Sequence, residues 1–233
     1  FAPHAAEGLQ PARVVRQDRG AWEIQMADGV RSAEATGRFR LALESGEADL
    51  PAVGDWVAVD PRPSCDRAGI AAIMPRRTCL ARQDAGRATR AQVLAANVDV
   101  AFLVGALDAG RGFSLARLER ALALVRAGGT EAVAVLNKAD LCDDIGGRVR
   151  EAQAAAPDVA VIAVSAIEGW GVDELRPWLA EGRTGVLLGP SGVGKSALAN
   201  ALLGEARQAT GSVRDEDARG RHTTTRRELF RLP

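Results

Sequence analysis

The chain has 233 residues, 47% apolar and 26% charged, an ordinary soluble-globular composition with material for one large domain or two modest ones. Thirty basic residues balance thirty acidic ones, so no overall basic field points to nucleic acid or an anionic membrane, and only a local patch remains open. No apolar run reaches the roughly 18 residues of a membrane-spanning helix, and three scattered cysteines (Cys65, Cys79 and Cys142) exclude a disulfide framework and a four-cysteine zinc site and fit a reducing cytoplasm.

The first residues, Phe1-Ala2-Pro3-His4, carry no basic-then-apolar leader and no Met, so the chain reads as a fragment. Short extended runs follow at Ala12–Val15, Ala21–Met26, Asp55–Val59 and Ile70–Ile73, separated by Gly, Asp and Pro. About five short strands in this space predict a small β-barrel or sandwich over residues 1–78, with an oligonucleotide-binding (OB) barrel as one option. Residues 79–91, polar and rich in arginine, read as a linker. From Gln92 the pattern alternates. Apolar runs at Val98–Val104, Ala132–Leu136, Val159–Val164 and Val186–Leu188 have the length of buried parallel strands. Between and after them, Ser114–Ala127, Arg148–Ala156, Val172–Leu179 and Lys195–Leu203 read as helices, the first with Ser114 as its N-cap. Such alternation predicts a right-handed βαβ domain over residues 92–233 with a mostly parallel sheet, hence an α/β chain overall. Residues 204–221 read as a polar surface loop.

Of the thirty basic residues, only Lys138 and Lys195 are lysines. Genome composition explains arginine bias. Against it, a lysine is either a chance survivor or a place where a compact ammonium or slim stem is needed. Lys195 belongs to Gly189-Pro190-Ser191-Gly192-Val193-Gly194-Lys195-Ser196, which fits G-x-x-x-x-G-K-[ST] between a strand and a helix. The glycines let successive N–H groups turn toward phosphate oxygens, and the helix N-terminus adds its positive end. Lys195 would reach the β- and γ-phosphates, and the Ser196 hydroxyl would join the coordination of Mg²⁺.

Lys138 belongs to Asn137-Lys138-Ala139-Asp140, placed after a strand, where open α/β sheets bind ligands. The Asp140 carboxylate suits the N1–H and exocyclic amine of guanine, a donor pair that adenine lacks. The Lys138 stem can lie on the base. The Asn137 amide can bond purine N7 or tie neighbouring loops. Ser165-Ala166, small residues after the next strand, would let a backbone N–H approach the guanine O6. The guanine motif precedes Lys195 by 58 residues, the reverse of Ras-like order, so the domain reads as a circularly permuted P-loop GTPase.

In this order the motifs resemble the ribosome small-subunit-dependent GTPase A (RsgA) family of bacteria. Val53-Gly54-Asp55-Trp56-Val57 is similar to its barrel segment. Pro75-Arg76-Arg77, Gln92–Asp99, Asn137–Asp140, Ser165-Ala166, the phosphate loop and Gly220–Thr225 follow in family order. The resemblance implies an N-terminal OB barrel, a permuted Ras-like GTPase domain and a small C-terminal zinc domain. It implies GTP as substrate and GDP as product, with Mg²⁺. It further implies a cytoplasmic hydrolase in late 30S maturation, stimulated by the ribosome and contacting 16S rRNA. No membrane is implied, and a monomer is expected.

In the resemblance Thr223–Thr225 stands for switch I, with Thr225, or Thr224, completing the Mg²⁺ shell; a solvated threonine run is the plain alternative. His222 stands where a catalytic glutamine is lacking. It positions the attacking water, caps its loop or contacts rRNA. The family's Asp-x-x-Gly motif would follow Pro233, and the Zn²⁺ domain lies beyond it, so a chain ending here is expected to bind and turn over nucleotide poorly. Trp22, Phe39 and Trp56 are either barrel core or stacking platforms for bases. The arginines from Arg76 to Arg90 either track phosphates or are solvated. Two rival functions stay open: a nucleotide-gated RNA- or ribosome-binding module with little turnover, and a permuted GTPase acting on the large subunit.

Overall fold

The structure, a computed structural model, describes residues 1–18, 21–61, 66–83, 91–108, 113–208 and 227–233. It divides into two compact units that meet in sequence between Asn97 and Val98.

After a short helix α1 (Ala2–Ala6), the first unit contains strands β1 (Gln10–Asp18), β2 (Ala21–Met26) and β3 (Gly29–Ala35), helix α2 (Gly37–Ser45), and strands β4 (Trp56–Asp60) and β5 (Ala68–Ile73). These strands close a barrel in the order β1-β2-β3-β5-β4. All its pairings are antiparallel except β3 with β5. That is the layout of an OB barrel. Alternate residues point inward: Trp22, Ile24 and Met26 from β2 meet Ala12 and Val14 from β1 and Val57 and Val59 from β4. The Trp22 indole N–H donates to the Pro51 carbonyl at 2.9 Å, so the largest core side chain buries no orphan donor. Helix α2 starts at Thr36, whose hydroxyl accepts from the Phe39 amide, and Phe39 is its buried anchor.

Of the three aromatics, Trp22 and Phe39 are therefore core, whereas Trp56 is 44% exposed with the Arg13 guanidinium 5.2 Å from its ring centroid. Arg76, one of the arginines read as tracking phosphates or solvated, is instead committed inside the unit. Its Nε and Nη2 donate to Asp55 Oδ1 and Oδ2 at 2.8 and 2.9 Å, and Nη1 reaches Asp49 at 3.0 Å. Asp55 is fully buried, and this fork-to-fork pairing raises the Arg76 pKa. Arg87 and Arg90 lie outside the described residues.

The segment expected as a linker opens with strand β6 (Cys79–Gln83), which pairs antiparallel with β7 (Ala91–Ala96). Leu80 and Ala96 are fully buried, and their burial anchors the hairpin. Asn97 then takes a left-handed conformation (φ 53°); its amide donates to the Gly54 carbonyl and accepts from the Arg77 amide. Gly54 must be glycine, because a Cβ there would collide with the Ala96 carbonyl. Near the end of the chain, the Leu229 amide donates to the Val15 carbonyl of β1.

The second unit comprises β8 (Val100–Ala106), α3 (Leu115–Ala127), β9 (Glu131–Asn137), α4 (Ile145–Ala155), β10 (Ala160–Ala163), a 3₁₀ helix over Val172–Leu179, β11 (Gly185–Leu188) and α5 (Lys195–Leu203). The sheet order is β10-β9-β8-β11, all parallel. Strand β11, the last among the described residues of this unit, thus lies beside β8, its first, which is how a permuted chain builds an ordinary sheet. Leu118, Leu122 and Val125 of α3 are buried and lie along one face of the helix. Ser114 sits at the N-cap, but its side chain makes no capping bond. No helix among the described residues is long and apolar enough to cross a membrane.

Candidate functional site

Parallel strands put all their carboxyl ends on one edge, so the loops after β8, β9, β10 and β11 converge there. The loop after β11 carries the phosphate motif. Gly189 packs so close to the Val104 carbonyl that a Cβ would overlap it. Gly192 and Gly194 have φ of 83° and 90°, conformations that favour glycine. Val193, between them, is buried in the sheet–helix core and anchors the loop, while Pro190, Ser191 and Gly192 are exposed. Helix α5 begins at Lys195, directly after the loop, so its positive N-terminal end adjoins the loop. The Lys195 ammonium donates to the carbonyls of Gly189 and Pro190 at 2.9 and 2.6 Å, and burial lowers its pKa. Ser196 follows on the first turn of α5.

The loop after β9 carries the guanine motif. Asn137 is buried, and its side chain joins the other two loops: Nδ2 donates to the Val193 carbonyl at 2.8 Å, and Oδ1 accepts from the Ala166 amide at 3.1 Å. This is the loop-tying option for Asn137. It also commits the Ala166 N–H to Asn137, one of the two backbone N–H groups of the Ser165-Ala166 pair expected to approach guanine O6; the other, of Ser165, donates to the Trp170 carbonyl at 2.9 Å. Gly194 is held glycine from this side as well, since a Cβ would strike Asn137 Nδ2. Lys138 adopts a left-handed backbone (φ 62°) and pairs with Asp108 at 2.5 Å. Asp140 lies in a 3₁₀ turn, Ala139–Leu141, with an exposed carboxylate. Ser165 makes a short turn in which its hydroxyl accepts from the Glu168 amide.

Three of the four sequence motifs thus meet at one sheet edge. The fourth, with His222 and Thr225, lies outside the described residues. Sequence reasoning missed Asp108 and the anchoring role of Val193. Among the described residues no group of three or more His, Cys, Asp or Glu could hold a metal. Mg²⁺ at a phosphate site is held mainly through phosphates and keeps several waters, so it needs no such group.

A model of the RsgA GTPase family matches residues 73–233. The chain belongs to the RsgA GTPase family. It is 46% identical to the small ribosomal subunit biogenesis GTPase RsgA of Opitutus terrae, over 100% of this chain and 65% of that one. It is 44% identical to the protein of the same name from Streptomyces coelicolor, over 100% of this chain and 62% of that one. The crystal structure of YjeQ from Thermotoga maritima superposes with a TM-score of 0.64 at 27% identity, covering 83% of this chain and 64% of that chain. The chain therefore spans somewhat less than two thirds of the length of these RsgA relatives.

Proposed function

We propose that this chain binds and hydrolyses GTP as part of a cytoplasmic factor acting in late maturation of the small ribosomal subunit, with turnover stimulated by that subunit. One observation carries the reading: the Asn137 side chain bonds both the phosphate loop, at Val193, and the Ser165-Ala166 loop, so that a base-reading turn and an anion-binding loop share one edge. The RsgA relatives bear the name of a small-subunit biogenesis GTPase.

In this reading, backbone N–H groups from Gly189 to Ser196 and the N-terminus of α5 hold the β- and γ-phosphates. Lys195 turns from its two carbonyl partners toward the same oxygens, a preorganised charge aimed at the leaving phosphate. The exposed Asp140 carboxylate accepts two hydrogen bonds from guanine, and the Lys138 stem covers the base. Ser196 and Thr225 would hold Mg²⁺, which when bound would neutralise phosphate charge. His222 orients the water that attacks in line. The barrel contacts rRNA, with Trp56 as the aromatic available for stacking.

The test is GTP hydrolysis by the protein with and without purified small subunits. The reading requires acceleration by small subunits and not by large ones; equal rates refute it. The base assignment is tested separately. Asp140→Asn shifts preference from guanine toward xanthine nucleotides, and an unchanged preference refutes the role of Asp140.

A further inference from the structure

Asp108 stands just past β8 and has no part in the chemistry above. Register brings it to the guanine motif. Strands β8 and β9 run parallel with Ala106 opposite Asn137, and the Leu107 amide extends the ladder by donating to the Asn137 carbonyl at 2.8 Å. The residues that follow, Asp108 and Lys138, meet at 2.5 Å between Oδ2 and Nζ. Both side chains are largely shielded, at 28% and 20% exposed. Lys138 holds a left-handed backbone that non-glycine residues adopt only against a steric cost. Two residues on, Asp140 presents an exposed carboxylate with no partner among the described residues.

We propose that Asp108 is a positioning residue for base selection. By holding the Lys138 ammonium it keeps that charge away from Asp140. Both Asp140 oxygens then stay open to the two donors on the guanine edge, and the lysine stem is fixed as an apolar surface for the base. The inference rests on the guanine reading of this site.

The physical reason is competition. A carboxylate with two oxygens offers one to each of two base donors. An untethered ammonium two residues away is a cation in a partly shielded place, where opposite charges attract more strongly than in bulk water. Pairing with Asp140 would occupy the lone pairs that read the base. The tether also orders a long flexible side chain before the ligand arrives, so that ordering is not charged to binding.

The experiment is equilibrium binding of GDP and of IDP, whose base lacks the exocyclic amine, to the full chain and to three variants. Asp108→Asn is expected to weaken GDP by roughly three- to tenfold, the loss that follows from freeing one long side chain. IDP, which offers Asp140 one donor fewer, weakens less, so the ratio of IDP to GDP dissociation constants falls toward one. Adding Lys138→Met to Asp108→Asn removes the competing ammonium, leaves an apolar stem and restores the ratio. Asp108→Glu keeps the carboxylate and the ratio, and it carries the test should the asparagine variant fail to fold. Equal weakening of both nucleotides, an unchanged ratio, or a ratio lost with Asp108→Glu overturns the proposal. A wild-type chain that binds GDP and IDP equally overturns the guanine reading itself. A wild type that separates them while the Asp108 variants leave the ratio untouched overturns this inference alone.

Discussion

The role of Asn137 as a joint between loops is tested most directly by Asn137→Ala in the nucleotide-free protein. Asn137 is 2% exposed and makes two side-chain bonds, to the Val193 carbonyl at 2.8 Å and from the Ala166 amide at 3.1 Å. A typical bond contributes about 0.5–1.5 kcal/mol, and orphaning a buried partner costs about 1–3 kcal/mol. Val193 is buried, so its carbonyl sits at the costly end. Ala166 is half-buried, so water replaces part of that bond. The expected loss is about 2–4 kcal/mol, confined to the second unit. Urea unfolding gives the magnitude, and hydrogen exchange gives the place. Protection falls in peptides covering Ala166 and the phosphate loop while peptides from the barrel are unchanged. Asn137→Asp keeps the acceptor for Ala166 but turns an oxygen toward the Val193 carbonyl, and it costs at least as much at neutral pH. A loss below about 0.5 kcal/mol, the scale of an ordinary surface substitution, refutes the reasoning. So does a loss that appears only with nucleotide bound, because the side chain would then serve the base rather than the joint.

Arg76→Met leaves the fully buried Asp55 without its partner and destabilises the first unit by about 3–5 kcal/mol, read from its urea midpoint; adding Asp55→Ala recovers part of that loss. Trp22→Ala costs about 3–5 kcal/mol. Trp56→Ala, which removes only an exposed ring and its cation–π contact, costs under about 1 kcal/mol and weakens binding of single-stranded RNA, measured by fluorescence anisotropy. Burial lowers the Lys195 pKa from 10.5 in the free protein, whereas bound phosphates favour the ammonium. GDP affinity therefore falls with rising pH from below 10.5, and Lys195→Met removes this pH dependence. Stability moves the opposite way: the unfolded chain keeps the Lys195 proton to higher pH, so the fold gains stability across that window.

The second unit was legible because its signals are local and redundant. Helix α5 spans the residues expected from the motif, Lys195–Leu203, and the apolar run expected at Ala132–Leu136 lies inside β9. Parallel strands buried on both faces leave an apolar mark that survives without homologues. The barrel was half legible. Strand β3 turns Ala33 and Ala35 inward, and alanine contrasts too little with its neighbours to show a period of two. Helix α2 buries Phe39 and no other residue, and β6 buries Leu80 alone among its described side chains. The helix expected at Val172–Leu179 is a 3₁₀ helix with Pro177 inside it, a residue with no N–H for an α-helical bond. In the site, residue types and loop positions were readable, but the contact between Asp108 and Lys138 was not. It joins residues 30 positions apart, and only the strand register decides that they meet.

The joint between Asn137 and Val193 spans 56 residues, whereas Asn137 and Ala166 are 29 apart. A ribosome adding about 5–20 residues per second makes Val193 about 3–11 s after Asn137. Throughout that delay the donor half of the Asn137 amide has only water to bond, and the edge of β8 that will receive β11 is bare. A nascent chain therefore can join the loops after β9 and β10 before the loop after β11 exists. Docking of β11 against β8 then seals the delayed amide bond and brings the Gly189–Ser196 loop to Asn137 in a single event.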